Sequence, residues 1–274
     1  MKNFPLRELI LNKIVFKTNM VNMVRHFNLE WYFPNPKFLS KYLYKGYMSI
    51  NTVSKTIQQE IENKFSFSNV KTIYSPIDIN YIKDKAQEQN TITGNYVIAL
   101  GRLNVIKQFD KLIEAYKSSV LPLENIKLYI IGSGPEEKAI FTKIKTLQLE
   151  GKVSLMPFQN NPFSYLAGAK FLIMSSLGEG FPRVLIESLA CETPIISFDC
   201  KSGPSEIVID RKNGLLVENQ NFEELTNAIN TMHTDIDLYK VCKANTLNSI
   251  ESFSMNATSV KWNKYINDLM RSNS

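Results

Sequence analysis

Two glutamates, Glu179 and Glu187, stand eight positions apart in the stretch GEGFPRVLIE, with a Gly-Phe-Pro turn between them. The apolar run KFLIMSS leads into that turn, and an apolar-periodic segment follows it, so the stretch reads as strand, turn, helix. Gly178 and Gly180 permit a tight turn and close backbone approach, and Pro182 suits the first helical position, where no N–H is needed. The amides near Phe181 to Val184 then point outward from a helix start, whose orphan N–H groups and dipole attract phosphate. Glu187 sits further along that helix, roughly 7 Å along its axis, and cannot touch the same atoms as Glu179. Carboxylates accept hydrogen bonds and sugar hydroxyls donate them. Two carboxylates on either side of a phosphate-binding turn therefore suit a nucleotide-sugar, with a ribose at one end and a hexose at the other. On this stretch alone, a solvated helix residue and a loop charge remain the plainer alternative.

A second stretch supplies the opposite charge. GRLNVIK places Arg102 just after a strand end and Lys107 five residues on, at the start of the next helix. An arginine fork and a lysine point charge on one rim would neutralise a diphosphate without a metal. The loops GSGPEE and PFQNNP follow two further strands and add Gly134 and Phe158 beside the ligand. GSGPEE has Glu137 where a third glycine would complete a dinucleotide fingerprint, so a nicotinamide site is not supported, and no cofactor is expected. His26, in MVRHFN, reads on its own as an ordinary surface or core histidine. His233 is expected to follow a helix and be exposed, and Asp235 to Asp237 to form a solvated turn with no metal.

These loops require a sheet to carry them. From Tyr96 on, the runs YVIAL, KLYIIG, KVSLM, KFLIMSS, PIISFD and GLLV alternate with amphipathic segments, such as Phe109, Leu112, Ile113 and Tyr116, or Phe222, Leu225, Ile229 and Met232. Strands separated by helices imply βαβ units and a parallel, Rossmann-like α/β lobe over residues 96–252. Ligands in such a sheet sit beyond the carboxyl ends of the strands, where all four loops project. Residues 1–77 are less regular. They hold an apolar run at NMVNMV, a proline-broken EWYFPNPKF, a helix across VSKTIQQEIENKF and a strand in VKTIYSPID stopped by Pro76. The polar stretch 78–95 reads as a linker.

The whole chain sets outer limits. Its 274 residues are 44% hydrophobic, enough for real cores. The net charge of +6 is spread over 32 basic and 26 acidic residues with no basic block, so a nucleotide substrate or an anionic membrane face explains the excess as well as nucleic acid does, as does a lysine-rich composition with no partner. Three cysteines form no CxxC pair and leave one over in any pairing, arguing against a disulfide framework or a zinc site. MKNFPLRELILNK lacks the features of a signal peptide, and no run spans a membrane, so the expected location is the cytoplasm, with peripheral contact to the inner face of the membrane.

The ordered set GRLNVIKQFDKLIEAY, LYIIGSGPE, EGFPRVLIESLACETPIIS, GPSEIV and NGLLV, over about residues 50–270, resembles the C-terminal lobe of family 4 glycosyltransferases, retaining enzymes of GT-B architecture. The spacing of Glu179 and Glu187 matches that family's signature. The resemblance implies that Arg102 and Lys107 bind the donor diphosphate, Glu179 contacts the hexose, amides around Gly180, Phe181, Pro182 and Val184 hold phosphate, and Glu187 bonds the ribose; it also makes His26 a candidate on the acceptor side. It implies transfer of a hexose or N-acetylhexosamine from a nucleoside-diphosphate sugar to a lipid-linked or polysaccharide acceptor, with the leaving diphosphate taking the acceptor's proton. A nucleotide-sugar 2-epimerase and a catalytically dead nucleotide-sugar-binding remnant are the alternatives. Residues 1–77 are too few for the family's full N-terminal lobe. The expectation is a truncated acceptor-side lobe, either a fragment or one completed by another chain, with the helix of residues 253–274 crossing back onto it.

Overall fold

The computed structural model describes residues 21–45 and 47–271, and the first twenty residues of the N-terminal segment lie outside that range. The chain order is β1 (Val21–Val24), α1 (Lys37–Tyr44), β2 (Ser49–Thr52), α2 (Lys55–Phe65), β3 (Val70–Thr72), α3 (Ile79–Ala86), β4 (Tyr96–Leu100) and α4 (Phe109–Ser118). It continues with β5 (Lys127–Ile131), α5 (Glu137–Thr146), β6 (Val153–Met156), α6 (Phe163–Gly168), β7 (Leu172–Met174) and α7 (Arg183–Ala190). Last come β8 (Ile195–Phe198), α8 (Pro204–Ile207), β9 (Gly214–Val217), α9 (Phe222–Thr234), α10 (Ile236–Ala244) and α11 (Met255–Arg271).

The six apolar runs after Tyr96 are the six strands of one sheet, ordered β6-β5-β4-β7-β8-β9, and every pair in it is parallel. Helices cover both faces, so the central strands β7 and β8 are buried at every position. The helical periodicity lands as read except at Phe222, which is only partly buried: Phe109, Leu112, Ile113 and Tyr116 are buried, as are Leu225, Ile229 and Met232. Chain order reverses direction across the sheet between β4 and β7. A crevice opens at such a switch point, beyond the carboxyl ends of those two strands. The loops carrying Arg102 and Glu179 leave from these two strands.

A smaller parallel sheet, β1-β2-β3, forms the other lobe with α1 and α2. Ser54 caps α2 by accepting a hydrogen bond from the Ile57 amide, and Ile57, Ile61 and Phe65 point into the core. The Pro-rich EWYFPNPKF is broken as expected, into a short 3-10 turn at Leu29–Trp31 and the start of α1. The stretch 78–95 carries more order than its polar composition suggests. Asp78 accepts from the Tyr81 amide at 3.0 Å and starts α3, whose Ile82 is buried. Helix α11 packs back on the smaller lobe, where its Tyr265 is buried beside Ser49 and its Lys261 lies 5.9 Å over the Tyr74 ring. Ile77 and Ser254 form a parallel bridge beside it.

Candidate active site

A cavity of about 630 Å³ opens at the switch point, and eight of the sequence-identified residues line it: Arg102, Lys107, Phe158, Glu179, Phe181, Pro182, Val184 and Glu187. Lys107 closes a 3-10 turn at Val105–Lys107, which Asn104 caps by accepting from the Lys107 amide. Its carbonyl accepts from the Ser175 hydroxyl at 2.9 Å, tying the turn to the end of β7. From that anchored base the Lys107 ammonium donates to Glu179 Oε1 at 2.6 Å, with the two side chains 17% and 16% exposed. Arg102 stands exposed at the rim.

Helix α7 begins at Arg183, so Pro182 is its N-cap and not its first helical residue. Proline brings no capping side chain, and the first amides of α7 face the cavity without one. One turn on, Glu187 lies 3.4 Å from the guanidinium of Arg183. Burial pushes the Glu187 carboxyl above its ordinary value, against the opposing pull of Arg183. A half-buried carboxylate with one weak ion-pair partner is a strong acceptor for hydroxyl donors.

The glycines of the GEG turn serve the close approach expected of them, but what approaches is the other lobe. A Cβ on Gly180 would collide with the Arg25 carbonyl, and one on Gly178 would press on the Phe27 ring at 3.1 Å. Gly180 and Gly134 therefore do not line the cavity, since Gly134 packs on the Leu103 backbone beneath the loop. His26 also lies outside the lining but close to Glu179, whose charge opposes the lowering of the imidazole pKa that burial causes. Its ring stacks on Trp31 at 3.9 Å and on Phe27 at 4.4 Å, and its Nδ1 accepts from the Asn28 amide at 3.0 Å. Nε2 is then the protonated, donating nitrogen.

Two further expectations need correction. His233 lies in the last turn of α9 and its side chain is only 9% exposed, held by Glu124 at 2.7 Å. Asp235 is a helix cap, accepting from the Leu238 amide at 2.9 Å, whereas Asp237 is fully solvated. The sequence reading passed over Arg183 and Gln159, which also line the cavity. Arg183 was legible as a cation at the helix start. Among the described residues no group of three His, Cys, Asp or Glu side chains is placed to hold a metal ion, and no helix is long and apolar enough to cross a membrane. The three cysteines are free and buried, and burial pushes the thiols of Cys191 and Cys200 up to about 12.

A family model described as glycosyl transferases group 1 matches residues 81–249. The chain is 37% identical over 209 residues to the N-acetylgalactosamine-N,N'-diacetylbacillosaminyl-diphospho-undecaprenol 4-alpha-N-acetylgalactosaminyltransferase of Campylobacter jejuni, covering 76% of this chain and 56% of that one. It is 28% identical over 226 residues to a poly(ribitol-phosphate) alpha-N-acetylglucosaminyltransferase of Staphylococcus aureus, covering 81% of this chain and 45% of that one. The HepE structure from Anabaena in complex with UDP shares the fold, with a TM-score of 0.83 at 20% identity over 96% of this chain and 76% of that chain. The chain spans about half the length of the first curated relatives it matches.

Proposed function

This chain belongs to the group 1 glycosyl transferases, of GT-B architecture, and from that premise we propose that it moves a hexose or N-acetylhexosamine from a nucleoside-diphosphate sugar to a lipid-linked or glycan acceptor, with retention at the anomeric carbon. One observation carries the proposal: three cations, a helix N-terminus and two well-separated carboxylates line a single cavity at the switch point of a parallel sheet. Arg102, Lys107 and the first amides of α7 bind the diphosphate. Glu187 accepts from the ribose hydroxyls and Glu179 from the hexose. The names of both curated relatives above specify an N-acetylhexosamine and an α-linkage, which favours an N-acetylhexosamine donor here. An α-linked product from an α-linked nucleotide sugar is retention.

Transfer then breaks the bond from the anomeric carbon to the diphosphate and forms the bond to the acceptor oxygen on the same face. The acceptor's proton passes to the departing phosphate oxygen. The protein's work is to stabilise the charge that grows on that phosphate, which falls to Arg102, Lys107 and the helix amides. Glu179, paired with Lys107 at 2.6 Å, orients the sugar and is not placed as a free nucleophile. His26, near Glu179, belongs to the acceptor-side lobe in this reading.

A lipid-linked acceptor fits a second surface. Helix α1 exposes Lys37, Phe38 and Lys41, with Lys45 just beyond it, and Phe38 is 73% exposed. Trp31 is exposed as well, and an aromatic and cationic face of the kind α1 presents suits an anionic bilayer surface. Calorimetric titration with UDP, UDP-N-acetylgalactosamine and UDP-N-acetylglucosamine tests the donor reading. Binding of at least one sugar nucleotide, lost in Arg102→Ala, is expected, and no binding by any of the three would sink it.

A further inference from the structure

The loop between β8 and β9 touches both lobes within a few residues. On the nucleotide side, the Glu179 amide donates to the Lys201 carbonyl at 3.0 Å and the Ser202 hydroxyl donates to the Gly180 carbonyl at 2.9 Å. Gly203, at φ +102, lets the chain pass close to the turn, since a Cβ there would come within 2.5 Å of Pro182 Cδ. On the other side, the Ser202 oxygen lies 2.6 Å from the Ser54 hydroxyl, and both serines are buried. Because Ser202 spends its proton on Gly180, Ser54 is the donor to Ser202, while Ser54 accepts from the Ile57 amide at 3.2 Å. A directed chain of hydrogen bonds thus runs from the start of α2 to the carbonyl next to Glu179.

Glu206, four residues further on, is the stronger tie. Its carboxylate accepts from the amides of Lys55 at 2.8 Å and Thr56 at 3.1 Å, from the Thr56 hydroxyl at 3.1 Å and from the Tyr74 hydroxyl at 2.8 Å. It satisfies the open N-terminus of α2 from the opposite lobe, where the helix dipole favours an anion. The ring of Tyr74 stacks on Phe181 at 5.1 Å, two residues from Glu179. Lys201 adds an ion pair to Glu60 at 2.9 Å. Glu206 itself does not line the cavity.

We propose that residues 201–206 couple the position of the acceptor-side lobe to the catalytic turn, with Ser202 and Glu206 as positioning residues that hold Glu179 by fastening residues 178–182 to the start of α2. The inference rests on the reading that Glu179 faces the donor sugar, but the coupling itself is testable without any ligand. A lobe that shifts takes the start of α2 with it, and the Glu179 turn follows through Ser54, Ser202 and Tyr74.

Hydrogen exchange read by mass spectrometry on the full chain compares wild type with Glu206→Gln and with the milder Tyr74→Phe, which keeps the ring stack. Both are expected to speed exchange at residues 178–182 as well as at 54–57, by about fivefold or more. Faster exchange at 54–57 with 178–182 unchanged would overturn the coupling. Ser54→Ala should loosen both segments and Ser54→Thr, which keeps the hydroxyl, should restore them. A second arm measures UDP release from UDP-N-acetylgalactosamine. Glu206→Gln should lower kcat about tenfold while Kd for UDP stays within about twofold, because misplacing a sugar-orienting group costs rate more than nucleotide affinity. Asn221→Ala is the control, since it removes a helix cap inside the nucleotide lobe, where Asn221 accepts from the Glu224 amide at 3.1 Å. An equal loss of kcat in that variant would mark the effect as general loosening and reject the proposal. The exchange arm decides the coupling whether or not the probe is turned over, so failure of the donor reading remains distinguishable.

Discussion

Glu179→Gln should tighten binding of bare UDP while failing to tighten binding of the sugar-bearing donor. Gln keeps the shape of the side chain, and the backbone amide of residue 179 still donates to Lys201 at 3.0 Å. What changes is charge: Lys107 loses the carboxylate now 2.6 Å away, and the diphosphate loses an anion that shares its cavity. A unit charge ~7 Å from a phosphate is worth roughly 2 kcal/mol at an effective dielectric near 20, and partial solvation at the cavity mouth brings that toward about 1. One to two kcal/mol corresponds to roughly 5- to 30-fold tighter UDP binding. For the sugar nucleotide the same gain is offset by loss of the charged acceptor for the hexose hydroxyls, about 1.5 to 3 kcal/mol. The ratio of the two dissociation constants should therefore shift by roughly 10- to 150-fold against the sugar nucleotide. Calorimetry with both ligands at one pH and ionic strength reads this directly. Equal weakening for UDP and UDP-N-acetylgalactosamine would show that Glu179 supports the fold of the site and does not read the sugar.

Glu187→Gln should weaken UDP and sugar nucleotide alike, by roughly 10- to 150-fold if the ionised form holds the ribose. Because burial raises the Glu187 carboxyl, wild-type UDP affinity should fall with decreasing pH at a midpoint above 4.5, and a titration in which Glu187→Gln keeps that step would refute the assignment. The same shift has a stability sign: the raised carboxyl favours the folded chain at pH below its unfolded value, and that contribution is lost as pH rises through the folded value. Thermal melts of Glu187→Gln should accordingly show a smaller decline than wild type across that window. Arg102→Ala and Lys107→Ala should each lower UDP affinity without rescue by added magnesium, and loss of wild-type binding in EDTA would show that a metal shares the diphosphate. Lys41→Glu and Phe38→Ser should reduce sedimentation with phosphatidylglycerol vesicles several-fold and leave UDP binding unchanged, and vesicle binding that ignores both changes would place the contact elsewhere.

The larger lobe was legible because its interior strands, β7 and β8 above all, are buried on both faces. A run such as Ile195–Phe198, buried at every position, can only be an interior strand bounded by polar loops, and the loop contents then identify the rim. The cavity residues followed from chemistry at strand ends, where Arg102 and Glu179 must sit if the crevice is at the switch point. Other features left no local trace. The α3 helix hides in a polar stretch because only Ile82 among its residues is buried, and its start depends on the Asp78 side chain. His233 looked like a surface residue because its partner, Glu124, lies 109 positions away. The role of Gly178 and Gly180 was legible in kind, as close approach, but only the folded chain shows that the approaching groups are Arg25 and Phe27.

The 201–206 loop shows why such pairings escape a reading made window by window. In sequence, KSGPSE is a glycine-proline turn with a charge, and any of its polar residues could be a solvated loop residue. Its chemistry appears only when Ser202 meets Ser54 across 148 positions and Glu206 meets Lys55 across 151. Glu179 likewise has a distant partner, since the lysine that donates to it stands 72 positions earlier. The contact of residues 201–206 with both lobes must be built from such distant pairs, because each lobe can order its own loops but not their mutual placement. Substitutions in this loop that preserve its turn chemistry while removing Ser202 or Glu206 should therefore be nearly silent in the fold of either lobe and be felt at Glu179.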